Sequence, residues 1–319
     1  MNRNLPVNSL RPPRTVDATG IYIHFPYCIQ KCSYCDFYSI ALLDRTHHNK
    51  QPSRDQLLQF KSAIELEFRA RVSKFRRFSG VNTIYFGGGT ASLMPPDLIS
   101  DLIGMIRSEF DLIPYEDNGV EVPTEITLEG NPENFTPDYL RACRQAGINR
   151  INVGIQTFSS EFLTGMNRFF DEDRYNRIIS DLIAFAPPAC GIDLIYGFSE
   201  QLLDQFHSDL NRVLNVGISH LSLYSLTLEE GTPYYRSVSS GIKRAPNEHL
   251  QTQIIDSLPS ILSSAGFIQY EISNFARPGY MCRHNLRYWL HEPCLALGPG
   301  AHGFDGINRY ANTRNIQNW

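Results

Sequence analysis

Residues 21–35 read Ile21-Tyr22-Ile23-His24-Phe25-Pro26-Tyr27-Cys28-Ile29-Gln30-Lys31-Cys32-Ser33-Tyr34-Cys35. The first five predict a short buried strand, Pro26 ends it, and a loop with three cysteines in eight residues follows. The same theme then repeats. Residues 55–78 predict a helix, with Leu57, Leu58, Ile64, Phe68 and Val72 near 3.6-residue spacing. Residues 83–86 predict a strand that runs into Gly87-Gly88-Gly89-Thr90, and a helix starts at Pro95-Pro96, where a missing N–H is harmless. Strands over 124–128, 150–155, 192–196 and 219–225 alternate with helices over 137–146, 171–185 and 202–216. Six strands interleaved with helices call for a parallel sheet with crossover helices. A helix over 247–265, interrupted by Pro259, and an edge strand over 267–272 come next; beyond Asn274 the pattern reads as loops.

The chain has 319 residues, 42% hydrophobic and 19% charged, enough to bury a full core. A formal charge of -4 leaves no basic field for a nucleic acid. No stretch approaches the roughly 18 apolar residues of a membrane span, and the first 20 residues carry no apolar segment of a secretory signal. Seven cysteines, three of them clustered, suit a metal loop in a reducing cytoplasm better than a disulfide framework.

The chemistry-bearing residues sit where strands end: the cysteines after the first, the glycines after the second, Glu129 after the third, Gln156 after the fourth. Ligands of parallel α/β sheets gather at those ends. Cys28, Cys32 and Cys35 offer three soft thiolates, suited to an iron–sulfur cluster or to zinc. Three is informative, because a structural zinc site closes with four ligands, whereas a four-iron cluster on three cysteines keeps one iron open. A zinc loop completed by His24 or Asp36 is the alternative. The glycine run lacks the lysine of a Walker loop, and without the cysteines it would read as a tight turn. Gly298-Pro299-Gly300-Ala301-His302-Gly303 formally fits G-x-G-x-x-G, but no βαβ unit follows it, so it is not read as a dinucleotide site.

The run from Tyr22 to Cys35, with Cys28-x-x-x-Cys32-x-x-Cys35 at its centre, resembles the signature of the radical S-adenosylmethionine (SAM) superfamily. Within it the chain is similar to the oxygen-independent coproporphyrinogen III oxidase group, and most of all to the HemW-like haem chaperones, over about residues 20–319. The resemblance implies that Cys28, Cys32 and Cys35 hold a [4Fe-4S] cluster whose open iron chelates SAM, and that an electron from the cluster cleaves SAM to a 5′-deoxyadenosyl radical. It further implies SAM contacts by Tyr22, Tyr34, Gly88, Gly89, Thr90 and Glu129. Gln156, Arg168 and Asp193 match positions that surround a second SAM in the oxidases. Phe198-Ser199 stands where a Leu-Pro pair is usual.

Two features favour the chaperones over the oxidases. Asp36-Phe37-Tyr38 follows Cys35, where the oxidases carry another cysteine two positions on. His284-Asn285-Leu286-Arg287-Tyr288-Trp289 matches the H-N-x-x-Y-W element of the HemW-like group, which implies His284 as an axial haem ligand beside flat apolar rings. If the segment is helical, His284 and Tyr288 share a face. The fold class is therefore α/β, an incomplete, open TIM-like parallel barrel with an irregular C-terminal segment. Residues 1–20 form an irregular N-terminal segment, 21–246 the radical SAM core barrel, and 247–319 a C-terminal extension; family members usually continue past Trp319 into a small helical region. The expected function is haem binding and delivery to an acceptor protein, with coproporphyrinogen III oxidase activity as the alternative. The expected cofactors are the cluster, SAM and haem, and the expected partners a haem-accepting protein and an electron donor. The sequence leaves a homodimer open.

Overall fold

The computed structural model describes residues 17–43, 50–117, 120–187 and 189–319, so most of the segment 1–20 lies outside the described residues. Six strands, β1 (Thr19–Phe25), β2 (Val81–Gly88), β3 (Glu125–Gly130), β4 (Arg150–Gln156), β5 (Ala189–Tyr196) and β6 (His220–Ser225), lie side by side in chain order, each neighbouring pair parallel. Winding in one direction with no strand skipped is barrel-like; a doubly wound sheet would reverse. A seventh strand, β7 (Cys294–Leu297), pairs parallel with the outer edge of β1. The barrel does not close. Asn274–Ala276 covers β6 and His302–Phe304 covers β7, both antiparallel, and the sheet ends on the short strands Ile268–Gln269 and Arg309–Ala311, which offer little edge to other strands.

Crossover helices begin where the sequence supplies caps. α1 (Arg54–Arg71) opens with a capping box in which Ser53 Oγ accepts from Gln56 N and Gln56 Oε1 accepts from Ser53 N. α2 (Pro96–Arg107) follows β2. α3 (Pro137–Gln145) is capped by Thr136, and α5 (Glu172–Phe185) by Asp171, with the short α4 (Ser160–Gly165) between them. α6 (Leu203–Leu214), α7 (Pro233–Ser239) and α8 (Glu248–Ser264) complete the run; α8 passes through Pro259 without ending.

Two expectations need correcting, and two short helices were not anticipated. The helix over 55–78 stops at Arg71 and tightens into a 3-10 turn, Val72–Lys74. α4 and α7 are single turns or little more, below the length at which periodicity is legible. Residues beyond Asn274 are not all loop: they hold α9 (Arg283–Trp289) as well as β7. β7 is four apolar residues whose strand character comes from pairing with β1, a contact across about 270 residues that no local pattern records.

The sheet has two unlike faces. Ile21, Ile23 and Phe25 in β1, Ile84 and Phe86 in β2, Ile151, Val153 and Ile155 in β4, and Leu221 and Leu223 in β6 belong to the buried apolar core. The alternate positions, among them Tyr22, His24, Tyr85, Glu129, Asn152, Asp193 and Ser222, line an interior cavity instead. Parallel sheets are ordinarily apolar on both faces. Here the inner face is polar, and its base is sealed by α9. Glu125 in β3 pairs with Arg150 in β4 at 2.9 Å, both out of water, and the same carboxylate accepts from the backbone N–H groups of Arg283 and His284 at 3.1 and 2.9 Å.

Breaking that pair leaves a buried charge uncompensated. Glu125→Ala is expected to cost about 3–5 kcal/mol in urea unfolding, and the double variant Glu125→Met/Arg150→Met clearly less than the sum of the two single losses. Additive losses would show that the two charges are not coupled.

Candidate functional site

Tyr27 and Cys28 form a two-residue strand paired with Ile40–Ala41, and Leu42 N donates to Cys28 O at 2.8 Å, so the cysteine loop is closed at its base. The loop leans on residues 166–168. Ser33 N donates to Met166 O at 2.8 Å, Asn167 Nδ2 to Lys31 O at 3.0 Å, and Arg168 Nη1 reaches Cys32 Sγ at 3.7 Å. Burial pushes the Cys28 thiol up to about 11 and raises that of Cys35 as well. Ligation requires thiolates, so a cationic iron centre taken up here must displace protons.

The glycine run joins this loop to the cavity. A Cβ on Gly89 would stand 3.0 Å from Cys28 Sγ and 2.8 Å from Tyr27 O, and one on Gly87 would stand 2.8 Å from Glu129 Oε2 and 3.1 Å from a Tyr22 ring carbon. Gly88 has φ +114°, a region in which side chains are strained. Thr90 N donates to Tyr27 O at 2.8 Å, and its hydroxyl hydrogen-bonds the Cys28 thiol. A side chain at Gly89 would push the cysteine loop away, and one at Gly87 would strike the cavity wall.

On the other side of the glycines lies a cavity of about 510 Å³. Tyr22, Gly88, Glu129, Asp193 and His284 of the expected site line it, while Tyr34, Gly89, Thr90, Gln156 and Arg168 group with the cysteines outside it. Two carboxylates occupy its interior. Burial pushes Glu129 up to about 7, partly offset by the Tyr85 hydroxyl that donates to it, with Asp193 adding repulsion. Asp193 itself rises to about 6 through burial, partly offset by its bond to Ser222. Two acids raised towards neutrality in a tyrosine-walled pocket suit an organic cation, whose charge would relieve both.

The residues fit the cofactor set of an iron–sulfur site better than a zinc loop. His24 is held through both ring nitrogens, Nδ1 to Tyr22 OH at 3.1 Å and Nε2 to Tyr38 O at 2.8 Å, and Asp36 pairs with Arg314 at 3.2 Å. Zinc ligation by either would require one of these bonds to open. Among the described residues no three Cys, His, Asp or Glu side chains converge at the distances a single ion needs. A four-iron cube instead spreads its three thiolates over its corners.

His284 is the hub of the cavity wall rather than an open ligand. Its Nδ1 meets Thr83 Oγ1 at 2.9 Å, its Nε2 meets Tyr288 OH at 3.1 Å, and its ring stacks on Tyr85 with centroids 4.9 Å apart. Burial and the nearby Arg287 hold its pKa well below the usual histidine range. Axial ligation by His284 would require one of those bonds to open. His302, at the start of the strand that follows the glycine-rich turn, is exposed and, like Gly300, lines the cavity. A Cβ on Gly298 would lie 2.4 Å from His24 O, so that loop packs directly on β1. Sequence reasoning missed Tyr85, Asn152, His220, Ser222 and Tyr224 as lining residues; strict alternation along β2, β4 and β6 was the available signal.

Residues 22–213 match the Radical SAM superfamily. The chain is 33% identical over 297 residues to the haem chaperone HemW of Mycobacterium tuberculosis, covering 92% of this chain and 72% of that protein. To HemW of Escherichia coli K12 it is 31% identical over 284 residues, 89% of this chain and 69% of the relative. To the mitochondrial radical S-adenosyl methionine domain-containing protein 1 of Mus musculus it is 33% identical over 304 residues, 93% of this chain and 64% of the relative. The solved coproporphyrinogen III oxidase HemN of Escherichia coli, a radical SAM enzyme, superposes with a TM-score of 0.74 at 22% identity, covering 94% of this chain and 68% of that one, which extends the likeness of fold. With the cysteine loop, the glycine run and the open parallel barrel all in place, this chain belongs to the radical SAM superfamily and, within it, to the HemW family.

Proposed function

We propose that this protein binds a [4Fe-4S] cluster, SAM and haem, and delivers haem to an acceptor protein. The observation that carries the reading is one continuous site: a three-cysteine loop, a glycine run without room for side chains, and a cavity with acids inside and aromatic residues at its mouth. Cys28, Cys32 and Cys35 would hold the cluster, which when reduced by an external donor supplies one electron for cleavage of a sulfonium C–S bond. Glu129 would contact the cationic SAM with its carboxylate, Tyr22 and Tyr85 would wall it, and Gly88 and Gly89 would let the backbone come close. Tyr34, Thr90, Gln156 and Arg168 act from the cysteine side, and Asp193 from within the cavity.

Phe37, Tyr224 and Tyr288 line the cavity and remain 67%, 43% and 45% exposed, apolar area suited to a porphyrin face. Arg314 stands among them and can exchange Asp36 for a haem carboxylate. Of the imidazoles that line the cavity, His302 is the solvent-exposed one and would face an iron there; His284 supports the wall. The alternative, coproporphyrinogen III oxidation, is disfavoured because the position two after Cys35 is Phe37, an exposed ring with no thiol.

Anaerobic reconstitution should load about four irons and four sulfides, and Cys28→Ala, Cys32→Ala or Cys35→Ala should abolish the cluster. Full iron content in the triple variant would defeat the assignment.

SAM affinity should rise with pH and level off above about 7, because the cation binds the ionised Glu129 carboxylate and below that pH a proton must leave first. Glu129→Gln should weaken binding about tenfold to a hundredfold, the worth of a charged hydrogen bond, and flatten the profile. Calorimetry across pH 5.5–8.5 decides; an unaltered slope in the variant would remove Glu129 from the contact.

Haem titration should give about one equivalent bound, with no protoporphyrinogen IX formed from coproporphyrinogen III, SAM and a reductant. His302→Ala should shift the Soret band and weaken haem binding, whereas His284→Ala should chiefly lower stability. A spectral change confined to His284→Ala would return the ligand role to His284; robust decarboxylation would promote the oxidase reading.

A further inference from the structure

Arg168 is buried, 9% exposed, and every nitrogen of its guanidinium is engaged: Nε with Tyr175 OH at 3.2 Å, Nη2 with Asn131 Oδ1 at 2.9 Å and with Gly154 O, Nη1 with Cys32 Sγ at 3.7 Å. Those partners are neutral, apart from the cysteine. Among the described residues no carboxylate comes within ion-pair distance of it. Glu133 faces it across Asn131 as a second acidic group; burial raises its pKa, and the charge of Arg168 and the bond to Asn131 act the other way. Tyr34 and Tyr175 also face the guanidinium.

A buried arginine cannot shed its proton, and an unpaired buried charge costs several kcal/mol. Of the groups that face it, Cys32 is the one that would ligate the cluster, and its sulfur lies 3.7 Å from Nη1. We propose that Arg168 is the built-in counter-charge of the iron–sulfur centre: it donates an N–H to Cys32 Sγ and thereby raises the reduction potential of the cluster. This rests on the cluster reading above. The step is a one-electron reduction by an external reductant that adds one negative charge to the centre. A fixed positive charge beside a ligating sulfur favours the more negative, reduced state, and hydrogen bonds to cluster sulfurs act in the same direction. Arg168 is thus a positioning residue that acts through Cys32, on the side of the glycine run away from the cavity.

The test is an electron paramagnetic resonance titration of anaerobically reconstituted protein against dithionite and redox mediators, for wild type, Arg168→Lys and Arg168→Gln, with iron and sulfide measured for each. The expected result is near-normal iron content in the Lys variant and a midpoint shifted to more negative potential in both, further in Gln than in Lys. An unchanged midpoint in Arg168→Gln at full iron content overturns the proposal. Should the Gln variant fail to load, retention of the cluster by the Lys variant, with circular dichroism showing both apoproteins folded, supports the charge role. Equal loss of iron from both folded variants overturns it, because charge would then not be what matters. Failure of the wild type to take up iron would overturn the cluster reading itself, and this proposal with it.

Discussion

The site depends on a charge pair that touches no ligand. Glu125 and Arg150 lie at the N-terminal ends of β3 and β4, sealed from water, and the carboxylate also receives two backbone N–H groups at the start of α9. That arrangement fixes where α9 crosses the base of the barrel. Arg287, fully buried on the same helix, adds bonds to Ala18 O and Pro293 O at 3.2 and 2.8 Å and to Asn82. α9 in turn sets His284, whose ring bonds Thr83 and stacks on Tyr85; the Tyr85 hydroxyl then holds Glu129. The carboxylate at the top of β3 is therefore positioned by the one at its base, through a helix about 160 residues later in the chain. Such buried polar chains act as a unit, since loss of one member leaves its neighbours unsatisfied.

The glycine run solves a different problem. Two chemistries must sit within a few ångströms of each other: soft cysteine sulfurs with a cation beside them on one side, and hard carboxylates inside a cavity on the other. A Cβ at Gly87 would strike Glu129 and Tyr22, and one at Gly89 would strike Cys28. Bare backbone is the only partition thin enough to let both sides share one centre. This explains a run of three glycines where one would have made the turn.

Much of this was legible in the sequence because it is local. Cys28, Cys32 and Cys35 are close in the chain, so their meeting needs no fold, and the alternation of strand and helix was marked by Thr136, Asp171 and Asn247 as caps. What stayed hidden is long-range. β7 is a strand because β1 lies beside it, and the state of His284 is decided by Thr83 and Tyr288, of which only the latter is a helical neighbour. The polar inner face was written as alternation in Tyr22, His24 and Tyr85, Gly87, but a five-residue apolar-looking strand reads as buried on both faces. Resemblance placed Arg168 with SAM ligands, while the structure sets it against a cysteine sulfur; a motif gives a residue's address without its bonding partner.

The cavity is polarised along its depth. Glu129 and Asp193 lie inside with pKa values raised towards neutrality, while His302 and Arg314 stand with the aromatic rings of Phe37 and Tyr38. A small cation is drawn inward, where desolvated carboxylates gain most from its charge. A flat ligand with acidic substituents is repelled from that interior and met by the guanidinium and rings nearer the mouth. The two do not compete for the same groups, so one cavity can order an inner cationic ligand and an outer anionic one. On the proposed function, an inner cation would neutralise the carboxylates that repel an outer anion, so the two ligands would bind with positive linkage.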